Sequence, residues 1–249
     1  MSEPSAPEHS LTTDPGTSPS ASWWEDFIDI FYAPSTVFKR REHSGFLIPM
    51  LVVTLLVGTI AVLNSGVLQP VMDAEFTRAT AAAMKKNPNV TAEMMEKMRG
   101  TGEKIAKVGG FVFVPVIMFC IGLVLWLVGK LLDAKQTVTQ AIMVTGYAMV
   151  PRIIENVLNG VQGLLLDPAT LNGRFRLSLG PGRFLDPDTA SPVLLAIVGR
   201  MDVFTIWVTV LLAIGLAVTG KISKQKAAIA GVLVWIVGGL ITVLQAMRA

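Results

Sequence analysis

The sequence is poor in the residues that most often carry chemistry. It has one cysteine, Cys120, and two histidines, His9 and His43, among 249 residues. One cysteine cannot form a disulfide within the chain, and its place in an apolar run predicts a packed thiol. Neither histidine lies in a helix core, which excludes a hydrolytic triad. No zinc-protease, dithiol, phosphate-loop or nucleophile-elbow motif occurs, so we expect no enzyme, no cofactor and no metal.

Charge is also scarce. Charged residues make up 16% of the chain against 52% apolar residues, and the mean hydropathy is +0.58. A soluble domain carries about 25% charge, so this composition favours an integral membrane protein. The net charge of +3 does not indicate a nucleic-acid partner, because the basic residues flank apolar runs as they do in membrane proteins. The lipid bilayer is therefore the expected partner.

Residues at the start of the chain show neither the pattern of a secretory signal nor enough large apolar side chains to form a core. Residues 1–21 have no basic beginning and no apolar stretch, and they are rich in Ser, Thr and Pro. Such a segment buries too little surface to offset chain entropy. We predict a disordered tail over residues 1–21, an interfacial segment over 22–45 and a membrane domain over 46–249.

Long apolar runs are what the sequence has in abundance. A helix needs about 20 apolar residues to cross a hydrocarbon core of about 30 Å. Five runs qualify, and they are continuous rather than alternating, which favours helices over barrel strands. The predicted spans are residues 46–68, 108–128, 138–158, 203–219 and 227–244. The expected fold is an all-α integral membrane protein with five transmembrane helices.

Clusters of basic residues predict the orientation. They precede the first span and fill the short links after the second and fourth spans: Lys39, Arg40, Arg41, Lys130, Lys135, Lys221, Lys224 and Lys226. In a five-span bundle these clusters share one end, and the positive-inside rule places that end in the cytoplasm. We expect a multi-pass inner-membrane protein with a cytoplasmic N-terminus and its C-terminus outside.

An aromatic segment, SWWEDFIDIFYAP, precedes the first span. Ser22 and Glu25 have capping-box spacing, and the pattern predicts one amphipathic helix in the headgroup layer, with Asp26 and Asp29 on its polar face. The basic residues that follow are expected to face anionic lipid. The segment is either a membrane-surface anchor or a partner-docking helix. Its candidate contact residues are Trp23, Trp24, Phe27, Phe31, Lys39, Arg40 and Arg41.

Two long loops lie at the opposite end. The first is predicted to be helical, with a break at Asn87-Pro88 and a stop at Gly100. The second contains RFRLSLGPGRFLD, residues 174–186, whose alternating pattern and central glycines predict a small β-hairpin. Small residues spaced by four in the last two spans predict a close helix crossing or a homo-oligomer; they are Ala213, Ala217, Ala227 and Gly231.

The stretch GYAMVPRIIEN brings charge into the third apolar run. Arg152 and Glu155 are three residues apart and share a helical face. A lone charge at this depth costs about 2.5–3.5 kcal/mol on insertion scales, which predicts pairing. Asp202 begins the fourth span at similar depth and is expected to complete a polar cluster, beside a kink at Pro151. The cluster is either a substrate or proton site or a structural staple between helices.

Three stretches and the five-span layout together resemble the Yip domain family over residues 25–245. The stretches are FYAPSTVFKRRE, QAIMVTGYAMVPRII and DVFTIWVTVLLAIGLAVTGKISKQKAA. The family comprises membrane proteins that in eukaryotes interact with Ypt/Rab GTPases and act through partners rather than catalysis; others are bacterial, and this chain resembles those. The resemblance implies a scaffold or adaptor that organises protein partners or lipids, without a small-molecule substrate. The alternative is a small transporter or channel with its site at Arg152, Glu155 and Asp202.

Overall fold

The computed structural model of the protein describes residues 22–247, with the backbone alone at residues 106 and 107. Five helical stretches in this range are long and apolar enough to cross a membrane, which confirms the predicted fold class. They are Leu47–Asn64, Val108–Leu131, Val138–Leu165, Val203–Gly220 and Lys224–Met247. The predicted disordered tail, residues 1–21, lies outside the described residues.

The α-helices of the described range are named here in chain order. They are α1 (Asp26–Asp29), α2 (Pro34–Arg40), α3 (Leu47–Asn64), α4 (Gln69–Lys86), α5 (Ala92–Leu131), α6 (Val138–Ala148), α7 (Pro151–Leu165), α8 (Pro192–Val198), α9 (Val203–Gly220) and α10 (Lys224–Met247). The chain direction puts the starts of α3, α6 and α10 at one end of the bundle, which we call the N-terminal end. The opposite end, where α3 and α7 finish and α9 begins, is the loop end.

The segment before the first span differs from the single amphipathic helix that the sequence predicts. It forms two short helices, α1 and α2, because Pro34 begins a new helix, where its missing N–H needs no partner. Only one half of the predicted capping box is present: the Glu25 carboxylate accepts a hydrogen bond from the Ser22 N–H at 3.2 Å.

The first loop is a helical hairpin of α4 and the first half of α5. The prediction that the second helix of the loop stops at Gly100 was wrong, since this helix, α5, runs for 40 residues from the loop into the second span. A glycine costs about 1 kcal/mol in a helix but does not by itself end one. Arg99 stabilises the helix here, since it pairs with Glu103 one turn later and with Asp73 of α4.

The third span is interrupted. A capping box between Thr137 and Gln140 fixes the start of α6, and Pro151 is the first residue of α7. The proline therefore begins a second helix instead of kinking one, and the span extends seven residues beyond residue 158, to Leu165. The break leaves α7 free to turn a different face to the bundle.

The core is built around α6, in which every residue from Ala141 to Ala148 is buried. α6 packs against α3, α5 and α9, and α10 packs against α9 and α5. Small residues permit these approaches: a Cβ on Gly215 of α9 would lie 2.3 Å from Val144 Cγ1. A Cβ on Gly231 of α10 would lie 3.1 Å from that of Ala213, so the predicted small-residue crossing is between α9 and α10. Homo-oligomer formation stays a prediction.

The predicted β-hairpin in the second loop was wrong. Short 3-10 turns occupy this region at Arg174–Leu177 and Pro181–Phe184. The backbone N–H of Leu179 donates to the Asp202 side chain instead of to a neighbouring strand, and Pro181 has no N–H to donate. The loop is thus held by a side chain of the fourth span.

The prediction of a packed thiol was also wrong, because Cys120 is exposed on the surface of α5. Large apolar side chains cover the outside of the same span, among them Phe113, Val116, Ile117 and Phe119. In a membrane-spanning helix this surface contacts lipid, so the thiol lies in an apolar environment that the protein itself does not supply.

Candidate functional site

α7 turns its polar side chains towards the bundle and its apolar side chains outwards. The partly buried polar face consists of Arg152, Glu155, Asn156, Asn159 and Gln162. The exposed apolar face consists of Ile154, Val157, Val161, Leu164 and Leu165. A soluble protein shows the reverse arrangement, so α7 has the pattern of a membrane helix with a polar interior face.

Arg152 joins α7 to α9. Its Nη1 donates to Glu155 Oε2 at 2.6 Å, and its Nη2 donates to Thr205 Oγ1 at 3.1 Å. Both side chains of the ion pair are partly buried. The pair is therefore formed within one helix, as the spacing predicts, whereas its direct contact on the fourth span is Thr205 and not Asp202.

Asp202 is buried and serves the start of α9. Its Oδ1 accepts from the Phe204 N–H at 2.9 Å, which caps the helix. Its Oδ2 accepts from the Ser178 hydroxyl at 2.8 Å and from the Leu179 N–H at 2.8 Å. The carboxylate thus binds the second loop to the fourth span, and its negative charge lies at the positive end of the helix dipole.

The three predicted residues line one cavity of about 450 Å³ at the loop end. Arg174 and Arg200 line it as well. Arg152 and Glu155 enter from α7, and Asp202 enters from the start of α9. That this cluster is a functional site rather than a structural staple stays a prediction.

A second cluster lies at the N-terminal end around Asp26, whose side chain has no exposed surface. Asp26 Oδ1 lies 2.7 Å from Arg40 Nη2, and Oδ2 pairs with Arg41 Nε. The Tyr147 hydroxyl of α6 donates to Oδ2 at 3.4 Å. Asp26, which the sequence places on the polar face of an amphipathic helix, is thus buried in an ion cluster instead. Two arginines from the end of α2 supply the counter-charges that burial of this carboxylate requires.

Aromatic rings attach the same segment to the bundle. Phe27 lies 5.4 Å from the Tyr147 ring, and Phe31 lies 5.4 Å from the Trp207 ring in an edge-on arrangement. Such pairs contribute about 0.5–1.5 kcal/mol beyond their buried area. The segment is thus part of the folded bundle and not only a helix resting in the headgroup layer.

The remaining predicted contact residues divide into two groups. Trp23, Trp24 and Lys39 are exposed. Arg40 and Arg41 are mostly covered and are paired with carboxylates, Arg40 with both Asp26 and Asp29. Anionic lipid was the expected partner of these arginines, but the structure gives them partners within the chain.

The contacts of Asp29 within this segment are expected to be independent of pH between about 5 and 9. The hydrogen bond from Arg40, then that from Tyr32, lowers the pKa of Asp29 below 3.8, so its contribution is lost only as the pH falls through that lowered pKa. The hydrogen bond to Asp29 raises the pKa of Tyr32 above 10.0, so ionisation of the phenol breaks this hydrogen bond only at higher pH. Protease cleavage near Trp24, followed from pH 5 to 9, tests this; a transition near pH 6.5 would contradict it.

Two residues of these clusters were not identified from the sequence. Tyr147 lies within GYAMVP, where it reads as an apolar residue of a span, although it binds Asp26. Arg200 reads as a flanking charge, although its side chain lines the loop-end cavity and bonds to Trp235 of α10. The proximity of Arg200 to Asp202 in the chain is the one signal that could have drawn attention to it.

These features define a multi-pass α-helical membrane protein with an integrated N-terminal segment and a polar cavity at its loop end. The sequence model of the Yip1 domain matches residues 28–245, nearly the whole chain, and the protein belongs to this family. No curated protein and no solved structure matches the chain. The Yip1 family is not known as an enzyme family. It is a family of membrane proteins, which agrees with the five apolar helices of this chain and their contact with lipid.

Proposed function

We propose that the protein is a non-catalytic scaffold or adaptor that organises protein partners or lipids at its N-terminal end. One observation carries the proposal: the N-terminal segment has one side fixed to the bundle and another side of exposed aromatic and apolar groups. The exposed fractions are 50% for Trp23, 53% for Trp24, 53% for Ile28 and 71% for Tyr32.

This exposed side has the properties of a binding surface. Tryptophan and tyrosine are enriched among the residues that contribute most to binding at protein interfaces. A surface that is already ordered loses less conformational entropy on binding than a flexible one. Here the order comes from the ion pairs of Asp26 and from the rings of Phe27 and Phe31 on the opposite side.

The proposed setting is a bacterial inner membrane with the N-terminal end in the cytoplasm. The basic clusters support it, since Lys39, Lys135 and Lys221 all belong to this end. The C-terminus then lies on the outer side. A cytoplasmic partner would reach the aromatic side of the segment directly.

Photo-crosslinking in native membranes tests the adaptor role. A photoreactive residue replaces Trp24 in the full chain, and a second variant carries it in place of Phe184, an aromatic residue of the loop end that is 81% exposed. We expect a discrete protein adduct from position 24, absent from position 184 and weakened by Trp23→Ala. Mass spectrometry identifies the adduct.

Two results would contradict a role as an adaptor for protein partners. Adducts from position 24 that contain lipid alone would make the segment a membrane-surface anchor. Solute or ion flux through reconstituted liposomes, abolished by Arg152→Ala at unchanged protein stability, would make the protein a transporter or channel.

A further inference from the structure

Arg200 lies in the link between α8 and α9 and reaches into the loop-end cavity. Its Nη2 donates to the Trp235 carbonyl at 2.7 Å, and its Cζ lies 5.2 Å from the centre of the Trp235 ring. The Trp235 indole N–H donates back to the Arg200 carbonyl at 3.3 Å. The guanidinium is therefore held in a fixed position against α10.

Two glycines of α10 make room for this side chain. A Cβ on Gly239 would lie 2.8 Å from Arg200 Cδ and Nε, and one on Gly238 would lie 3.2 Å from Nη2. Gly238 and Gly239 belong to an apolar span, so the guanidinium lies partly in the membrane interior and not in bulk water. A charge in this position requires a counter-charge or polar partners.

The described residues supply no carboxylate to Arg200. None of their ion pairs includes it, and its Nε is buried without an acceptor. The two acidic groups of the cavity are already used: Glu155 pairs with Arg152, and Asp202 accepts hydrogen bonds from Ser178 and two backbone N–H groups. Arg174 lines the same cavity, so its three arginines and two carboxylates leave a formal charge of +1.

We propose that the cavity binds a phosphate oxyanion and that Arg200 is its principal ligand. A guanidinium presents planar, paired donors that match phosphate oxygens, and the Arg200 side chain lines the cavity without a carboxylate partner among the described residues. The cavity volume of about 450 Å³ admits a phosphate group together with a small esterified alcohol. This inference does not depend on the adaptor role, which concerns the opposite end of the bundle.

The depth of the site suits a lipid headgroup as one source of the phosphate. Arg152 lies 14 residues after Val138, roughly 21 Å when α6 and α7 are counted as one continuous rise along the span. Arg200 lies just before the start of the fourth span at Val203. The cavity is therefore near the membrane boundary of the loop end, where both a phospholipid headgroup and free phosphate are within reach.

Thermal unfolding of the full chain in neutral detergent tests the site. One arm adds inorganic phosphate against sodium chloride at equal ionic strength, and the other adds phosphatidylglycerol against diacylglycerol, which has no phosphate group. We expect a saturable rise in Tm with at least one phosphate source, as linkage requires of a ligand that binds the folded state. Arg200→Gln is expected to raise the ligand concentration that gives half of the Tm shift about tenfold or more. Arg183→Gln removes the same charge outside the cavity and should respond as the wild type does.

A second variant covers the case in which Arg200→Gln fails to fold. Ala196 lines the cavity four residues before Arg200, so Ala196→Glu places a carboxylate where the ligand is expected. It should raise the Tm without ligand and abolish the phosphate response; a full wild-type response would overturn the proposal.

The two arms separate the sources. A response to phosphatidylglycerol alone identifies a lipid headgroup, a response to inorganic phosphate alone identifies a free anion, and either supports the proposal. The proposal is overturned if neither ligand produces a saturable shift beyond its control. It is equally overturned if Arg200→Gln responds as the wild type does.

Discussion

Replacing Arg40 and Arg41 together by methionine is expected to destabilise the protein by about 3–5 kcal/mol, because it leaves a buried carboxylate without its counter-charges. Asp26 has no exposed surface, whereas the two arginines retain 24% and 22% exposure. Removing the arginines is therefore more costly than removing Asp26, since the partly exposed arginines can turn to water and Arg40 still pairs with Asp29. The midpoint of denaturant-induced unfolding in detergent measures the loss.

A third substitution gives this prediction its control. Asp26→Asn in the same background removes the stranded charge and should recover most of the lost stability. Lys39→Met removes a neighbouring charge that is exposed, so its effect should stay within about 0.5 kcal/mol. A double variant as stable as the wild type, or one that Asp26→Asn does not rescue, would show that the ion cluster does not hold the segment.

The five spans could be predicted from the sequence because membrane insertion depends on the length of an apolar run, which is a local property. The Arg152–Glu155 pair could be predicted for the same reason, since its spacing alone places both groups on one helical face. Asp26 could not. Its burial depends on arginines that return to it across the turn between α1 and α2, and on a tyrosine from a helix more than 100 residues later.

The loop-end cavity shows the same division between local and tertiary information. Depth along the chain placed Asp202 near Arg152, and both do line one cavity. The second loop determines the hydrogen bonds within the cavity. Ser178 and Leu179 of this loop donate to the Asp202 carboxylate, whereas Arg152 donates to Thr205. The alternating residues of that loop predicted a hairpin. The prediction failed because a sequence pattern does not show that a distant side chain will accept the hydrogen bond of a backbone N–H in the loop.

Gly122→Ala is expected to destabilise the protein by about 1–3 kcal/mol through overpacking at the crossing of α5 and α6. A Cβ at this position would lie 2.9 Å from Ile142 Cα, 2.9 Å from Ile142 Cγ1 and 3.2 Å from Ile142 N. Two of these atoms belong to the backbone, so a rotamer change cannot relieve the contact and the helices must separate. The unfolding midpoint in detergent measures the effect.

Gly102→Ala in the same helix is the matched control. Nothing lies within 4 Å of a Cβ there, so the substitution should stabilise α5 by up to about 1 kcal/mol, the usual gain in helix propensity. Both substitutions add one methyl group to α5 and bring a similar propensity gain. Their difference in stability therefore measures the helix crossing alone, and equal stabilities would mean that α5 and α6 do not approach as closely as Gly122 and Ile142 indicate.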